Sequence, residues 1–154
     1  MWWRVLVLVG VLAAATALGV WWRGRNGRIA TPAGRTGSAP TEAARAEREQ
    51  WRRLGFDPAE ARLTMVQFSS AFCQPCRATR GILADVAAGR PGVRHVEVDA
   101  ESHLDVVRAL DIRRTPTVML VDDTGRIVGR ASGQPRKAEV VAVVAALGAG
   151  QANT

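Results

Sequence analysis

Cysteine is scarce in this chain. The 154 residues hold two, and both fall in one C-x-x-C, at Cys73 and Cys76. A disulfide scaffold needs several pairs at varied spacings, so a small stapled framework is excluded. Lysine is scarcer still. Lys137 is the only one, and the formal net charge of +7 comes almost wholly from arginine. Those arginines are scattered along the chain with no accompanying aromatic-and-basic stripe, so the charge does not point to a nucleic-acid partner. No internal repeat is visible. Charge is also missing from one long stretch, Val5 to Trp22.

That uncharged stretch follows Trp2, Trp3 and Arg4. From Trp3 to Trp21 a helix would rise roughly 27 Å, close to the hydrocarbon thickness of a bilayer. Tryptophan pairs at both ends suit the two membrane interfaces. Residues 1–23 are therefore expected to be a single transmembrane anchor, inserted in a lipid bilayer through residues 2–22. The alternative is a cleaved signal peptide, because Ala15-Thr16-Ala17 resembles a small-residue cleavage site. That site lies inside the apolar run, with two tryptophans after it. A buried core helix fits less well, since the run has no polar periodicity. The N-terminal flank carries the amino terminus and Arg4, whereas the other flank carries Arg23, Arg25, Arg28 and Arg35. Counting positive charge tilts the C-terminal part toward the cytoplasm by a small margin.

Residues 24–40 are rich in Gly, Arg, Thr and Pro and read as a flexible linker. One domain is expected over 41–148, with a disordered tail at 149–154. A solvated first helix runs from Thr41, its cap, to Leu54, and Gly55 ends it. Beyond it strands and helices alternate. Thr64–Phe68 is an apolar strand, and a helix follows the cysteines with Ala78, Ile82, Leu83 and Val86 on one face. Val93–Asp99 is the next strand, with Val96 and Val98 on one side and His95, Glu97 and Asp99 on the other. Ser102 caps a short helix carrying Val106, Val107 and Leu110. Thr117–Val121 and Arg126–Ala131 form a hairpin around Asp122-Asp123-Thr124-Gly125. A last helix carries Val140, Val143, Val144 and Leu147 at helical spacing, and Gly148 stops it. The order β-α-β-α-β-β-α describes an α/β fold, a mixed central sheet flanked by helices.

The C-x-x-C lies where a strand ends and a helix begins. There the free N–H groups and the helix dipole favour negative charge on the first sulfur. Such a placement lowers a thiol pKa below the ordinary value of about 8.5, and the thiolate is the species that attacks a disulfide. Cys76, one turn further on, is within reach to resolve the mixed disulfide. Pro75 fixes the first turn and restricts Gln74, and Arg77 adds positive charge. The other reading of two cysteines at this spacing is half of a zinc site completed by His95 and His103, but their spacing fits no familiar finger. His103 is expected to be a surface residue.

From about Trp51 to Leu147 the chain resembles the thioredoxin family, as a membrane-tethered bacterial member. Three features carry the likeness. They are Phe72-Cys73-Gln74-Pro75-Cys76-Arg77 after a strand, Arg114-Thr115-Pro116-Thr117 before the hairpin, and Gly133 before the last helix. The resemblance implies a thioredoxin fold preceded by the one transmembrane helix. It implies that Cys73 and Cys76 are the catalytic pair and that Thr115-Pro116 is a cis bond lying against them. It also implies a substrate groove framed by Phe72, Gln74, Pro75, Thr115, Pro116 and Gly133, in which the Thr115 backbone pairs with the substrate strand. The chain departs from the family at three places. Phe72 replaces a tryptophan, Gln67 replaces a buried aspartate, and His95 stands where a lysine is usual. Gln67 cannot titrate. Gln67, His95 and Arg77 are therefore candidate modulators of proton routing and potential.

These features imply a thiol–disulfide oxidoreductase that reduces or exchanges protein disulfides. It would need no small-molecule cofactor and no metal. Its partners would be protein disulfides or dithiols, with a thioredoxin reductase or a membrane electron donor behind it. The alternative is a redox-sensing or protein-binding module whose dithiol only switches its grip. For localisation, the charge count favours a cytoplasmic domain, whereas tethered members of the family are often extracytoplasmic.

Overall fold

Alternation of short apolar runs with helical periodicity places strands and helices where the sequence puts them. The computed structural model describes residues 2–25, 28–30 and 42–151. After an N-terminal helix α1 (Trp2–Arg25) come β1 (Ile29–Ala30), α2 (Glu42–Arg53), a 3-10 turn (Pro58–Glu60), β2 (Leu63–Ser69), α3 (Gln74–Ala88), β3 (Val93–Asp99), α4 (Leu104–Ala109), β4 (Thr117–Asp122), β5 (Ile127–Ser132) and α5 (Lys137–Gln151). The sheet order is β1-β5-β4-β2-β3. β2 pairs parallel with β3 and antiparallel with β4, and the β4–β5 hairpin extends the antiparallel side. The central strand β2 is buried along its whole length, as is β4. That is why neither strand shows a clean alternation of apolar and polar residues.

The sheet separates two cores. On one face Val66, Phe68, Val98, Met119 and Val121 meet Trp51 and Phe56, together with Val106 and Ile112. Trp51 anchors α2 there. Its ring lies 5.6 Å from Phe56 and its indole N–H donates to the carbonyl of Gly125 at 2.7 Å, which ties α2 to the hairpin turn. On the other face Leu63, Met65, Val118, Leu120 and Ala131 pack under α3 and α5 through Leu83, Val86, Val140 and Val144. Gly55 adopts a positive φ of 88° and ends α2, the conformation a C-terminal helix glycine is suited to.

Several local expectations are corrected. Within the stretch expected to be linker, Gly24 and Arg25 continue α1, and Ile29–Ala30 add a fifth strand to β5. Ile29 is the reason. It is an apolar β-branched side chain that reaches the α5-side core, and its N–H donates to the Glu139 carboxylate at 2.8 Å. Gly129 leaves room for it, because a Cβ there would stand 3.3 Å from Ile29 Cγ2 and 2.9 Å from Leu120 Cδ1. Gly148 does not stop the last helix, which runs on to Gln151, because Gly148 lacks the positive φ of a helix-ending glycine. Residues 149–151 of the expected tail are thus helical. Ser102 does not cap α4; its hydroxyl donates to Asp99, and His103 occupies the cap position without a side-chain bond. On α3, Ala78 is exposed and Thr79 is buried in its stead. The remainder of the expected linker (26–27 and 31–40), the Thr41 cap and residues 152–154 lie outside the described residues.

Helix α1 differs from every other element. Apart from Arg4 it is apolar from Trp2 to Trp21, long enough to cross a membrane, and every side chain described on it is exposed. At 1.5 Å per residue those 20 residues span roughly 30 Å.

Candidate active site

Four polar or reactive elements converge at the carboxyl end of β2. Strand β2 ends at Ser69, and the chain turns through Ser70, Ala71 and Phe72 before α3 starts. Cys73 occupies the cap position of α3, and its sulfur accepts the backbone N–H of Cys76 at 3.1 Å. Pro75 sits in the first turn, where its missing N–H costs nothing. The helix start is therefore capped by the sulfur itself, in a place where backbone donors stabilise negative charge. Cys73 is partly exposed, whereas Cys76 is 2% exposed and covered by the helix turn. The two form a disulfide with S–S 2.01 Å and Cα–Cα 5.2 Å. One sulfur-bearing residue is thus partly open to solvent and the other lies behind it.

The loop before β4 supplies the opposing wall. The Thr115–Pro116 peptide is cis. The Thr115 hydroxyl lies 3.0 Å from the Ser70 hydroxyl, so the loop is hydrogen-bonded to the segment that leads into the cysteines. Gly133, at a φ of 97°, donates its N–H to the Pro116 carbonyl at 2.7 Å, and Thr117 Oγ1 donates to the Arg114 carbonyl at 2.7 Å. Phe72 stands 98% exposed beside Cys73. Gln74 and Pro75 are exposed as well, and the Arg77 guanidinium donates to the Gln74 side-chain oxygen.

Behind the dithiol lies a polar group on the α3 face of the sheet. Gln67 is fully buried, and its Nε2 donates to Ser69 Oγ at 2.8 Å and to the Cys76 carbonyl at 2.9 Å. Glu97 on β3 approaches the same nitrogen at 3.5 Å and is held by Arg80 of α3 through two hydrogen bonds of 2.6 and 2.9 Å. Burial acts to raise the Glu97 carboxyl pKa, but the hydrogen bonds from Arg80 and Ser69 and the Arg80 charge outweigh it and hold it below its ordinary value. Burial pushes the neighbouring His95 imidazole down, the Glu97 charge opposing and the Arg80 charge assisting. Gln67 Oε1 and His95 Nε2 are both buried with no hydrogen-bond partner among the described residues.

The structure thus brings Cys73, Cys76, Thr115, Pro116 and Gly133 together at one end of the sheet, with Phe72, Gln74, Pro75 and Arg77 on the rim. Gln67 touches the backbone of Cys76. His95 sits near Glu97 and Arg80, and its Nε2 has no hydrogen-bond partner among the described residues. Sequence reading missed Ser70 and the Glu97–Arg80 pair. Glu97 alternates with the strand valines, so its position alone marks it as solvent-facing. Only the packing of α3 over β3 makes it a partner of the site.

An alternating sheet with a dithiol at a helix start and a cis proline facing it defines a disulfide-exchange fold. The Thioredoxin family model matches residues 50–146, more than half of the chain, and the chain belongs to the thioredoxin family. Among curated proteins, it is 29% identical over 93 residues to "Thioredoxin H-type" of Picea mariana, covering 60% of this chain and 73% of that one. It is 32% identical over 76 residues to "Thioredoxin H-type 1" of Nicotiana tabacum (49% and 60%) and 26% identical over 80 residues to "Thioredoxin-2" of Pyricularia oryzae (52% and 47%). The chain therefore spans about half to three quarters of the length of these relatives. Among solved structures, chloroplastic thioredoxin z superposes with a TM-score of 0.55 at 22% identity, covering 66% of this chain and 89% of that one. A thioredoxin from Trypanosoma brucei brucei gives 0.53 at 22% identity, covering 64% and 83%. At that identity the structural likeness establishes the fold.

Proposed function

We propose that this protein is a membrane-anchored thiol–disulfide oxidoreductase that reduces or exchanges disulfides of other proteins. The carrying observation is the asymmetry of the pair: a partly exposed Cys73 sulfur capping α3 and a buried Cys76 bonded to it. In the reduced form the Cys73 thiolate attacks a substrate disulfide. A mixed disulfide forms and one substrate sulfur leaves as a thiolate. Cys76 then attacks Cys73 Sγ, the second substrate sulfur leaves, and the Cys73–Cys76 bond closes. Two electrons pass to the substrate; Cys76 gives up one proton and solvent supplies the other, so both substrate sulfurs end as thiols. A donor dithiol, from a reductase or a membrane electron carrier, reverses the steps and resets the pair.

Phe72, Gln74 and Pro75 on one side and Thr115, Pro116 and Gly133 on the other would frame the substrate segment. The backbone of Thr115 would pair with it as an added strand. Gln67 and Arg77 would modulate the pair, Gln67 through the Cys76 carbonyl and Arg77 through its charge. Helix α1 would hold the protein in the bilayer. A 20-residue helix with fully exposed apolar side chains far exceeds the apolar patch a soluble monomer exposes, which supports that reading. Reduction of insulin by the full chain in detergent micelles, with dithiothreitol as electron source, tests the activity. Turnover with the native pair and none with Cys73→Ser supports an enzyme. A second reading, a redox-switched binding module, is favoured by Gln67, which puts a group that cannot move a proton where the family carries a carboxylate. Absence of turnover with the native pair would select it.

A further inference from the structure

The loop that carries the cis proline also carries two adjacent arginines. Arg113 and Arg114 come directly before Thr115, and both are exposed. The Thr115 hydroxyl lies 3.0 Å from that of Ser70, whose carbonyl accepts the Cys73 N–H at 3.3 Å. The two guanidinium groups are therefore carried one and two residues from the loop wall that faces the dithiol. With Arg130, Asp111 and Ser132 they line an open recess between the end of α4 and β5.

Three arginines stand there against one aspartate. Arg130 is fixed by neutral acceptors, the carbonyls of Leu110 and Asp111 at 2.7 and 2.6 Å, so its charge remains on the wall of the recess. The Asp111 carboxylate pairs with Arg113 at 2.9 Å, but the arginine side chain is 83% exposed and the aspartate 71%. A pair so open to water contributes little, and an incoming carboxylate can take its place. Arginine also occurs at the other end of the sheet, where Arg62 and Arg90 border a second recess with Leu63 and Val93. Charge alone does not single out the first recess; its place beside Thr115 does. On the far side of β2, exposed Asp99 and Glu101 follow β3 and would repel a carboxylate placed there.

We propose that the dithiol selects protein disulfides whose cysteine is flanked by aspartate or glutamate, with Arg113 and Arg114 holding that carboxylate at the mouth of the recess. The selection rests on the oxidoreductase reading above and on the Thr115 backbone as the edge that pairs with the substrate. A strand paired there advances about 3.3 Å per residue, so a side chain that meets Arg113 or Arg114 lies within about three residues of the reacting cysteine. Guanidinium groups suit such a partner, because their planar fork donates two parallel hydrogen bonds to a carboxylate.

Second-order rates in single turnover test the selection. The full chain in neutral detergent micelles is reduced, freed of reductant and mixed with end-blocked single-cysteine peptides, each disulfide-linked to 2-mercaptoethanol. Glutamate, glutamine or lysine is placed at successive positions on either side of the cysteine, and release of the peptide thiol is followed by chromatography. On one side of the cysteine, glutamate peptides should react about tenfold faster than lysine peptides, with glutamine between, and the spread should shrink at high salt. Arg113→Glu/Arg114→Glu should invert the order, and Arg113→Lys/Arg114→Lys should keep part of it. Arg90→Glu, at the other end of the sheet, should leave it unchanged. Equal rates for the three peptides with the native chain overturn the proposal, whatever the variants do. A double glutamate variant that keeps the native order overturns it too. So does an equal loss of preference in Arg90→Glu, because overall charge would then be the cause. If the native chain reduces neither these peptides nor insulin, the oxidoreductase reading itself fails and the selection with it.

Discussion

The two faces of the sheet are built from different chemistry. Under α2 and α4 the buried side chains are mainly tryptophan, phenylalanine, valine, alanine, methionine and isoleucine, joined by Thr64 and Thr117, and the Trp51 indole N–H is satisfied by one carbonyl. Under α3 the apolar core gives way, toward the dithiol, to Gln67, Thr79, His95 and Glu97. Three polar atoms there, Gln67 Oε1, Thr79 Oγ1 and His95 Nε2, are buried without a partner among the described residues. Both faces carry such atoms, since Thr64 Oγ1 is buried without a partner among the described residues on the α2 side, but the α3 face holds three of the four. An unsatisfied buried polar group costs about 1–3 kcal/mol, so the α3 face gives up more stability to keep a polar environment behind Cys76.

This contrast can be broken at single positions. The largest effect is expected at Cys73. Cys73→Ser should drop insulin reduction to the uncatalysed background, while Cys76→Ser should leave Cys73 able to form long-lived mixed disulfides; gel analysis under non-reducing conditions reads both. Next comes Trp51, on the opposite face. Trp51→Ala should lower the unfolding free energy by about 3–5 kcal/mol, seen by denaturant unfolding of the micelle-bound chain, without altering Cys73 alkylation under native conditions. A parallel loss of Cys73 reactivity would show that the two faces are not separable.

Gln67→Leu should do the converse. It removes the amide that bonds the Cys76 carbonyl and also removes a buried unpartnered oxygen, so stability should change by no more than about 1 kcal/mol. The dithiol–disulfide equilibrium against glutathione should shift, because the lost contact is to the backbone of Cys76 itself. The smallest effects concern pH. The His95 imidazole is held below its ordinary 6.5, so the folded protein binds fewer protons there than the unfolded chain. Stability should fall as pH drops from 6.5 through the lowered folded value, and His95→Asn should flatten that window. The Glu97 carboxyl is held below its ordinary 4.5, so its contribution should be complete above 4.5 and lost as pH falls further. Glu97→Gln should remove that lower window at a cost under about 1 kcal/mol, since Arg80 is largely exposed. Thermal melts across pH would read both windows.

Much of this was legible in the sequence. Val93–Asp99 and the hairpin strands follow from alternation and turn chemistry, both local signals. Cys73, Cys76 and Pro116 announce themselves because each carries chemistry in its own side chain or ring. What escaped was long-range. β1 is two residues long, and Ile29 becomes a strand residue only because β5 presents an edge with a glycine beneath it. Gly148 looked like a helix stop because its residue type permits one, but the stop is made by a positive φ, which the continued packing of α5 does not call for. Glu97 and Arg80 are neighbours across two elements, and nothing in their spacing along the chain pairs them.

The account rests on Cys73 being the activated sulfur. The direct measurement is the rate of iodoacetamide alkylation of Cys73 against pH in the Cys76→Ser chain, beside an unstructured cysteine peptide. The account predicts that Cys73 reaches its plateau rate at clearly lower pH than the peptide. Overlapping curves would contradict it.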